Sequence, residues 1–336
     1  MEFVKYNSLE NSYRIGFIEK IINQGKNRGE FVVQEKVHGS NFSIWFNGTD
    51  FKCARKTDFL EEGEMFFNFD KILEKYKKEI KVIFNKINNS KNIDTIAFFG
   101  ELFGGNYDHK DVKPIKNASK VQKGILYHPD NMFMLFDVKI NGAYLNEDEL
   151  EELVKGTSFY KAKVLFRGTL EECLKQPNEF ITNIPKDFGL PDVDGNICEG
   201  VVIKPVIPDF LYGGNRVIIK NKNDKWSEKA KAPKRDRKVQ TIFSPEVQMQ
   251  IDNMELFVTE NRLRNVLSKI GNVTEKDFGK ILGLFNKDVI EDYMKEYDEE
   301  LNVLVKEDRK KVTNAINNKS ANLIRPNFLN IIDGNF

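Results

Sequence analysis

Three short strand-like runs stand near the start of the chain, GEFVVQEKV, NFSIWFNG and DFKCARK, each rich in apolar residues and ended by Gly, Asn or Asp, and they predict an antiparallel meander. An amphipathic segment, RIGFIEKIINQG, precedes them. From Phe67 to Ile87 apolar residues recur at spacings of three and four, which predicts a helix with a lysine-rich outer face. Strand patterns return in DTIAFFGELFGG, NMFMLFDVKI, CEGVVIKPV and NRVIIKNK, with short helical segments at ELEELVKG and TLEECLKQ. Residues 1–229 therefore read as an α+β domain built mainly on antiparallel strands.

The pattern changes at KWSEKAKAPKRDRKVQ, where lysine, arginine and Pro233 crowd a stretch poor in apolar residues. Residues 230–244 are expected to form a basic linker. Beyond Ser244 the periodicity is helical in PEVQMQIDNMELFVTENRLRNVLSKIG, EKDFGKILGLFNKDVIEDYMKEY and EELNVLVKEDRKKVTNAINNKSANLI. Residues 245–336 are thus expected to be a small all-helical domain. No internal repeat is visible.

Composition narrows the chemistry mainly by exclusion. The 336 residues are 40% hydrophobic and carry Lys+Arg 52 against Asp+Glu 51, a formal net charge of +1, so any polyanion site must come from local clustering. Frequent Lys, Asn, Ile and Phe fit A/T-biased coding, so lysine number alone carries no weight. Cys53, Cys173 and Cys198 lack paired spacing, and His38, His109 and His128 form no zinc pattern, which argues against structural zinc and disulfides. The cysteine usage fits a reducing intracellular compartment, and a cytoplasmic or nuclear location is expected. The start of the chain, MEFVKYNSLENSY, has no apolar signal core, and no run reaches the ~18 apolar residues of a membrane span.

Nucleotide-binding and catalytic signatures of other classes are missing. No glycine-rich turn ends in Gly-Lys-Ser/Thr, and Gly279-Lys280 lies inside a helical pattern. Polar residues remain at the ends of strands. Lys36 follows FVVQE, Glu101 closes TIAFFG, Asp137 follows Phe136, Glu199 precedes GVVIKP, and Lys220 and Lys222 close NRVIIK. Singly, each can be an edge or rim charge. Together, Lys220 and Lys222 can hold phosphates, Glu199 a hard cation such as Mg²⁺, and Phe136 a stacked base. Lys36 can be either an edge-strand charge or a nucleophilic amine.

KVHGSN, FGELFGG, LFDV, EGVVIKP and VIIKNK stand in an order that resembles the covalent nucleotidyltransferases, the superfamily of ligases and capping enzymes. The opening KYNSLEN, the histidine in KVHG, NRVIIKNKNDKWSEK and ENRLRNVLSKIG followed by EKDFGKILGL resemble the RNA ligases that seal nicks in duplex RNA. These include the phage type and the kinetoplastid RNA-editing ligases. The resemblance implies an ATP-dependent RNA ligase using Mg²⁺, for which Mn²⁺ can substitute, acting as a two-domain monomer on nicked duplex RNA. It makes Lys36 the nucleophile that forms a lysyl-AMP adduct, with Glu35 in the nucleotide-binding set and His38 and Asn41 beside the adenylate. It implies that Glu101 contacts the ribose, Phe136 stacks on adenine, Glu199 binds the metal, and Lys220 and Lys222 grip the transferred phosphate. Two lysines near Lys36 would ease loss of its proton.

One departure concerns CARKTD, where the family commonly has Arg-Thr. Either Lys56 takes the arginine's place or a bulge turns Arg55 inward. Lys225, Lys234 and Arg235 near the linker, with Arg262, Arg264 and Lys269 in the helical region, are candidates for RNA phosphates. The rival readings are a DNA ligase or a capping guanylyltransferase, disfavoured because helices follow the last strand where those enzymes usually continue into a small β-barrel. A non-catalytic RNA-binding protein is the rival from another class.

Overall fold

The computed structural model describes residues 1–229 and 243–336, which form two compact units, Met1–Lys225 and Trp226–Phe336. The expected linker, with Lys231, Lys234, Arg235, Arg237 and Lys238, lies largely outside the described residues. Trp226–Lys229, assigned from sequence to the first domain, pack within the second unit: Thr259 Oγ1 donates to the Glu228 carbonyl and Asn261 Nδ2 to that of Ser227.

Two sheets build the first unit. In one, β1 (Glu10–Asn11), β11 (Ile219–Lys222), β10 (Gly200–Pro205), β2 (Phe31–Glu35) and β9 (Val164–Gly168) lie side by side in that order. In the other, the order is β4 (Phe51–Arg55), β3 (Ser40–Phe46), β5 (Ile96–Asn106), β6 (His128–Ile140) and β7 (Ala143–Tyr144), with β8 (Tyr160–Lys161) pairing in parallel with β6. Most other pairings are antiparallel, β1 with β11 being parallel.

The three opening runs do not form a single meander. β3 and β4 pair as expected, but β2 joins the opposite sheet. The turn through Gly39 makes this crossing and needs a glycine, because a Cβ there would lie 2.0 Å from the Leu102 carbonyl oxygen.

Helices cover one face of each sheet. α1 (Ile15–Asn23) and α4 (Leu170–Leu174) bury Phe17, Ile21 and Leu170 against Phe31, Val33, Val201 and Ile203. α2 (Phe69–Lys91) packs Ile72, Tyr76, Ile80 and Phe84 onto Phe42, Phe98 and Phe133 of the second sheet. Each such side chain contributes roughly 1.5–3 kcal/mol by leaving water. The short α3 (Glu147–Val154) and α5 (Ile184–Asp187) complete the unit.

In the second unit the first helical run breaks into α6 (Pro245–Glu255) and α7 (Glu260–Ile270), because the Thr259 side chain accepts from the Arg262 N–H and starts a new helix. α8 (Phe278–Val303) and α9 (Lys306–Ile332) follow, and Phe257, Leu263, Ile281, Phe285, Val312 and Ile324 form the shared core. Arg262 lies in this core at 0% exposure, its guanidinium 2.6 Å from Asp288 and 2.9 Å from Asp292 and also facing Glu228. Burial works against its charge and the three carboxylates more than offset that cost. The expectation that Arg262 contacts RNA is therefore corrected: a guanidinium without accessible surface and with three acids around it is a structural cation. Among the described residues, no helix is long and apolar enough to cross a membrane.

Candidate active site

The adjoining ends of β2, β10 and β11 place three residues in one row. Lys36 donates its N–H to the Gly200 carbonyl at 2.9 Å, and Gly200 stands opposite Lys222. Gly200 adopts φ +139°, and a Cβ there would lie 2.2 Å from the Asn221 carbonyl oxygen, so no side chain stands between the two lysines. Glu199 fills that space. One of its oxygens lies 2.7 Å from Lys36 Nζ, the other 2.6 Å from Lys222 Nζ, and the first also takes the His38 Nδ1 contact at 3.2 Å.

Glu199 is fully buried. Burial alone would raise its pKa, but Lys222, Lys36 and His38 hold it well below the usual carboxylate range. Burial also keeps the His38 imidazole below its ordinary value although Glu199 pulls the other way. A neutral ring facing a carboxylate through Nδ1 must carry its proton on that nitrogen. The His38 backbone N–H donates to the Tyr127 hydroxyl at 3.1 Å, which fixes the turn.

A second row comes from the other sheet. Asn41 on β3 pairs with Glu101 on β5, and the β3–β4 register sets Phe42 opposite Arg55. Arg55 therefore shares its face with core residue Phe42, while Lys56, in the bend just past β4, lies near enough to Glu101 for its charge to act on that carboxyl. Arg55 is ion-paired to Asp58 and Glu64. Burial pushes the Glu101 carboxyl up to about 7, and Glu199 adds to this, while Lys36 and Lys56 pull it down. The Glu101 carboxyl thus feels the charges of the other three side chains.

Phe136 owes its position to an irregularity. Phe99 pairs with Asp137 but Gly100 pairs with Leu135, so Phe136 is the extra residue of a β-bulge. The bulge puts both Leu135 and Val138 in the α2-covered core and turns Phe136 to the opposite face, 5.1 Å from the Tyr6 ring.

Behind Phe136 lies a buried polar network that sequence reasoning only partly found. Asp137 takes the Arg216 guanidinium through two contacts of 2.6 and 3.1 Å, the Lys204 ammonium at 3.0 Å and the Tyr6 hydroxyl. Burial opposes the charge on Asp137, and Arg216 and Lys204 hold it well below its ordinary value. Lys204 also donates to the Phe136 carbonyl at 2.8 Å, so the network grips the bulge. Lys204 stands in GVVIKP and Arg216 in NRVIIK, but alternation alone does not reveal which partner a buried cation has.

The remaining candidates divide. Lys220 lies on the Lys222 face of β11, opposite Val202. Glu35 is turned the other way from Lys36: its carboxylate accepts from Thr182 Oγ1 and the Asn183 N–H, and burial pushes it up to about 7. Lys225 Nζ donates to the Gly124 carbonyl at 3.1 Å. In the helical unit, Arg264 pairs with Glu260 and Lys269 with Asp288, each one-third exposed. Lys234 and Arg235 lie outside the described residues.

Two family models match the chain, RNA ligase over residues 29–222 and T4 RNA ligase 2 C-terminal over residues 243–322. The first alone spans more than half of the sequence. The chain belongs to the RNA ligase family. This ligase is 28% identical over 347 residues to mitochondrial RNA-editing ligase 1 of Trypanosoma brucei brucei, covering 84% of this chain and 73% of the relative. It is 28% identical over 354 residues to RNA-editing ligase 2 of the same organism, covering 88% and 83%. Among solved structures it is similar to a Naegleria gruberi RNA ligase mutant with ATP and Mn, at 17% identity and a TM-score of 0.43, covering 67% of this chain and 57% of that one. The ligase thus spans a little over half the length of that protein.

Proposed function

We propose that this ligase uses ATP and a divalent cation to seal 3′-hydroxyl/5′-phosphate nicks in duplex RNA through an AMP carried on Lys36. The observation that supports this reading most directly is the shared Glu199 carboxylate between Lys36 and Lys222, with Glu101 and Lys56 close enough to act on the same charge balance. A cationic floor with two carboxylates suits a triphosphate and its metal.

Three transfers follow from these groups. The Lys36 amine, once it has given up its proton, attacks the α-phosphorus, so a P–N bond forms as the P–O bond to pyrophosphate breaks. A 5′-phosphate oxygen of the RNA then displaces Lys36 from the AMP. The 3′-hydroxyl next attacks that 5′-phosphorus and expels AMP. Lys220, Lys222 and Lys56 would bind phosphate oxygens, and Phe136 would stack on the base while the Asp137 network holds its strand. Mg²⁺, or Mn²⁺ in its place, would be held by Glu199 and would supply charge neutralisation at the phosphates. The fit is chemical: Glu199 and Glu101 offer hard oxygen donors beside the cations that would face the phosphates.

Incubation with α-labelled ATP or GTP, followed by denaturing electrophoresis and by sealing assays on nicked RNA, DNA and hybrid duplexes, tests the proposal. Label from ATP and preferential sealing of RNA are expected. Label from GTP alone would favour a capping enzyme, and no label would favour RNA binding without catalysis.

Base stacking contributes ~1–3 kcal/mol per base, so Phe136→Ala should raise the KM for ATP roughly 5- to 150-fold. Phe136→Tyr should stay near wild type. A parallel fall in melting temperature and activity, with no effect specific to the nucleotide, would identify Phe136 as a packing residue only.

A protein ending at Lys238 contains the first compact unit with its own core. It should still take label on Lys36 yet seal nicked duplex RNA poorly, since holding both sides of a nick in line needs phosphate contacts beyond one pocket. Equal loss of both activities would assign the helical unit to stability instead.

A further inference from the structure

Residues 107–127, between β5 and β6, contain neither helix nor strand, although connections beyond about 12–15 residues without their own secondary structure are usually either functional or disordered. This one is anchored at Tyr107 and again from Asn117, whose carbonyl accepts from Asn68 Nδ2, through its second half. The Asn131 side chain donates to the Ser119 carbonyl at 2.6 Å and accepts from its N–H at 2.8 Å. Gln122 accepts from the Gly104 N–H at 2.9 Å, and Asn196 brackets both the N–H and the carbonyl of Leu126. Tyr107 donates to the Pro191 carbonyl. Anchors on both sides confine Lys110, Lys113 and Lys116 between them and hold Lys120 next to the pinned Ser119.

The loop is also wired to the catalytic end of the sheets. It leaves β5 shortly after Glu101, its Tyr127 hydroxyl receives the His38 N–H, and its Gly124 carbonyl receives Lys225, three residues past Lys222. Five lysines stand in it against Asp108 and Asp111. Lys110, Lys113, Lys116 and Lys120 are exposed, and among the described residues none of them makes a salt bridge. On the same unit Lys77, Lys163 and Lys175 are each paired with an acid, whereas Lys71, Lys78, Lys81 and Lys86 of α2 are, like the loop lysines, exposed and without a salt bridge among the described residues, so place rather than pairing sets the loop apart.

Resting on the RNA-ligase reading above, we infer that loop 107–127 is a rail for the RNA backbone, its four unpaired lysines taking phosphates beside the turn that carries Lys36 and His38. Cations without protein partners exchange only counterions when they meet phosphates, which is the source of salt-dependent affinity. Lysine is a point charge that does not demand the bidentate geometry of arginine, and phosphate contacts position a strand without reading its sequence. A ligase that must accept any sequence at a break is served by such contacts. Pinning sets the distance from rail to nucleophile, so a strand held there meets Lys36 in register.

The test uses the full chain with Lys110, Lys113, Lys116 and Lys120 all changed to Gln, and a control in which Lys71, Lys78, Lys81 and Lys86 on the exposed side of α2 are changed to Gln. Binding of a nicked RNA duplex is measured against KCl concentration, and adenylation with α-labelled ATP. The loop variant should adenylate like wild type, with its log-log salt slope shallower by about 0.9 for each phosphate lost, up to about 3.6 for four on the B-form scale. Sealing should fall with it, and the α2 control should match wild type. An unchanged slope in the loop variant, or an equal change in the control, overturns the rail. The two readings stay separable, since the slope judges the loop and labelling of the wild type judges the ligase chemistry.

Discussion

Replacing Lys36 by alanine or by arginine will leave no covalent AMP on the protein. The attack requires an amine with a free lone pair, and a guanidinium remains protonated at any pH the fold survives. The two variants will differ in stability, which separates chemistry from packing. Arginine keeps a cation opposite Glu199, whereas alanine removes one of the three groups that balance this buried carboxylate. A charge-assisted hydrogen bond is worth about 1.5–3 kcal/mol, so Lys36→Ala should melt measurably lower than Lys36→Arg while both stay unlabelled. Robust label on either variant, seen by denaturing electrophoresis, would show that another residue is the nucleophile.

Glu199→Gln will cost both stability and adenylation. The amide keeps the shape of the side chain, but Lys36 and Lys222 then confront each other across Gly200 without the anion they share. Breaking a buried pair by removing one partner typically costs about 3–5 kcal/mol. For a unit of this size that corresponds to a loss of roughly 6–20 °C in Tm. Adding Lys36→Met to Glu199→Gln removes one of the two stranded cations and should restore part of the melting temperature with no return of label. If the single variant melts and adenylates like wild type, Glu199 is neither counter-charge nor metal ligand.

Acid dependence offers a further check on Glu199. Its carboxylate is held well below the ordinary value in the folded chain and returns to about 4.3 on unfolding. A lowered folded pKa stabilises fully above the unfolded value, and that stabilisation is lost as pH falls toward the folded one. The stability gap between wild type and Glu199→Gln should accordingly be flat above about pH 5 and narrow on acidification.

Much of the fold is legible locally. Apolar repeats at three and four predict α2, because one-sided burial imposes the period of the backbone on the sequence, while β3, β5, β6 and β10 show as short apolar-rich runs because consecutive residues, on both faces, are buried. Capping defeats the same reasoning at Thr259, where one hydroxyl splits an apparently continuous helical run into α6 and α7. β2 is misassigned for a different reason. Its apolar run says that the strand is buried, as it is on both faces, but not which sheet holds it, and the partners β10 and β9 lie more than a hundred residues away.

The sequence by itself determined the order of the motifs, the polar residues at strand ends, the two-part organisation and, through these, the family. Those are properties of short windows, where spacing is enough. Tertiary structure alone put Arg55 on the Phe42 face, through the register of β4 against β3, and brought Lys56 near Glu101. It decided that Glu35 turns away from Lys36, that Phe136 is freed by a bulge opposite Phe99 and Gly100, and that Arg262 is enclosed by Glu228, Asp288 and Asp292. It also brought Glu199 to Lys36 across 163 residues of chain. A charged residue looks the same in sequence whether water or three carboxylates surround it, and only the folding of distant segments onto one another supplies the surroundings that set its charge, its exposure and its role.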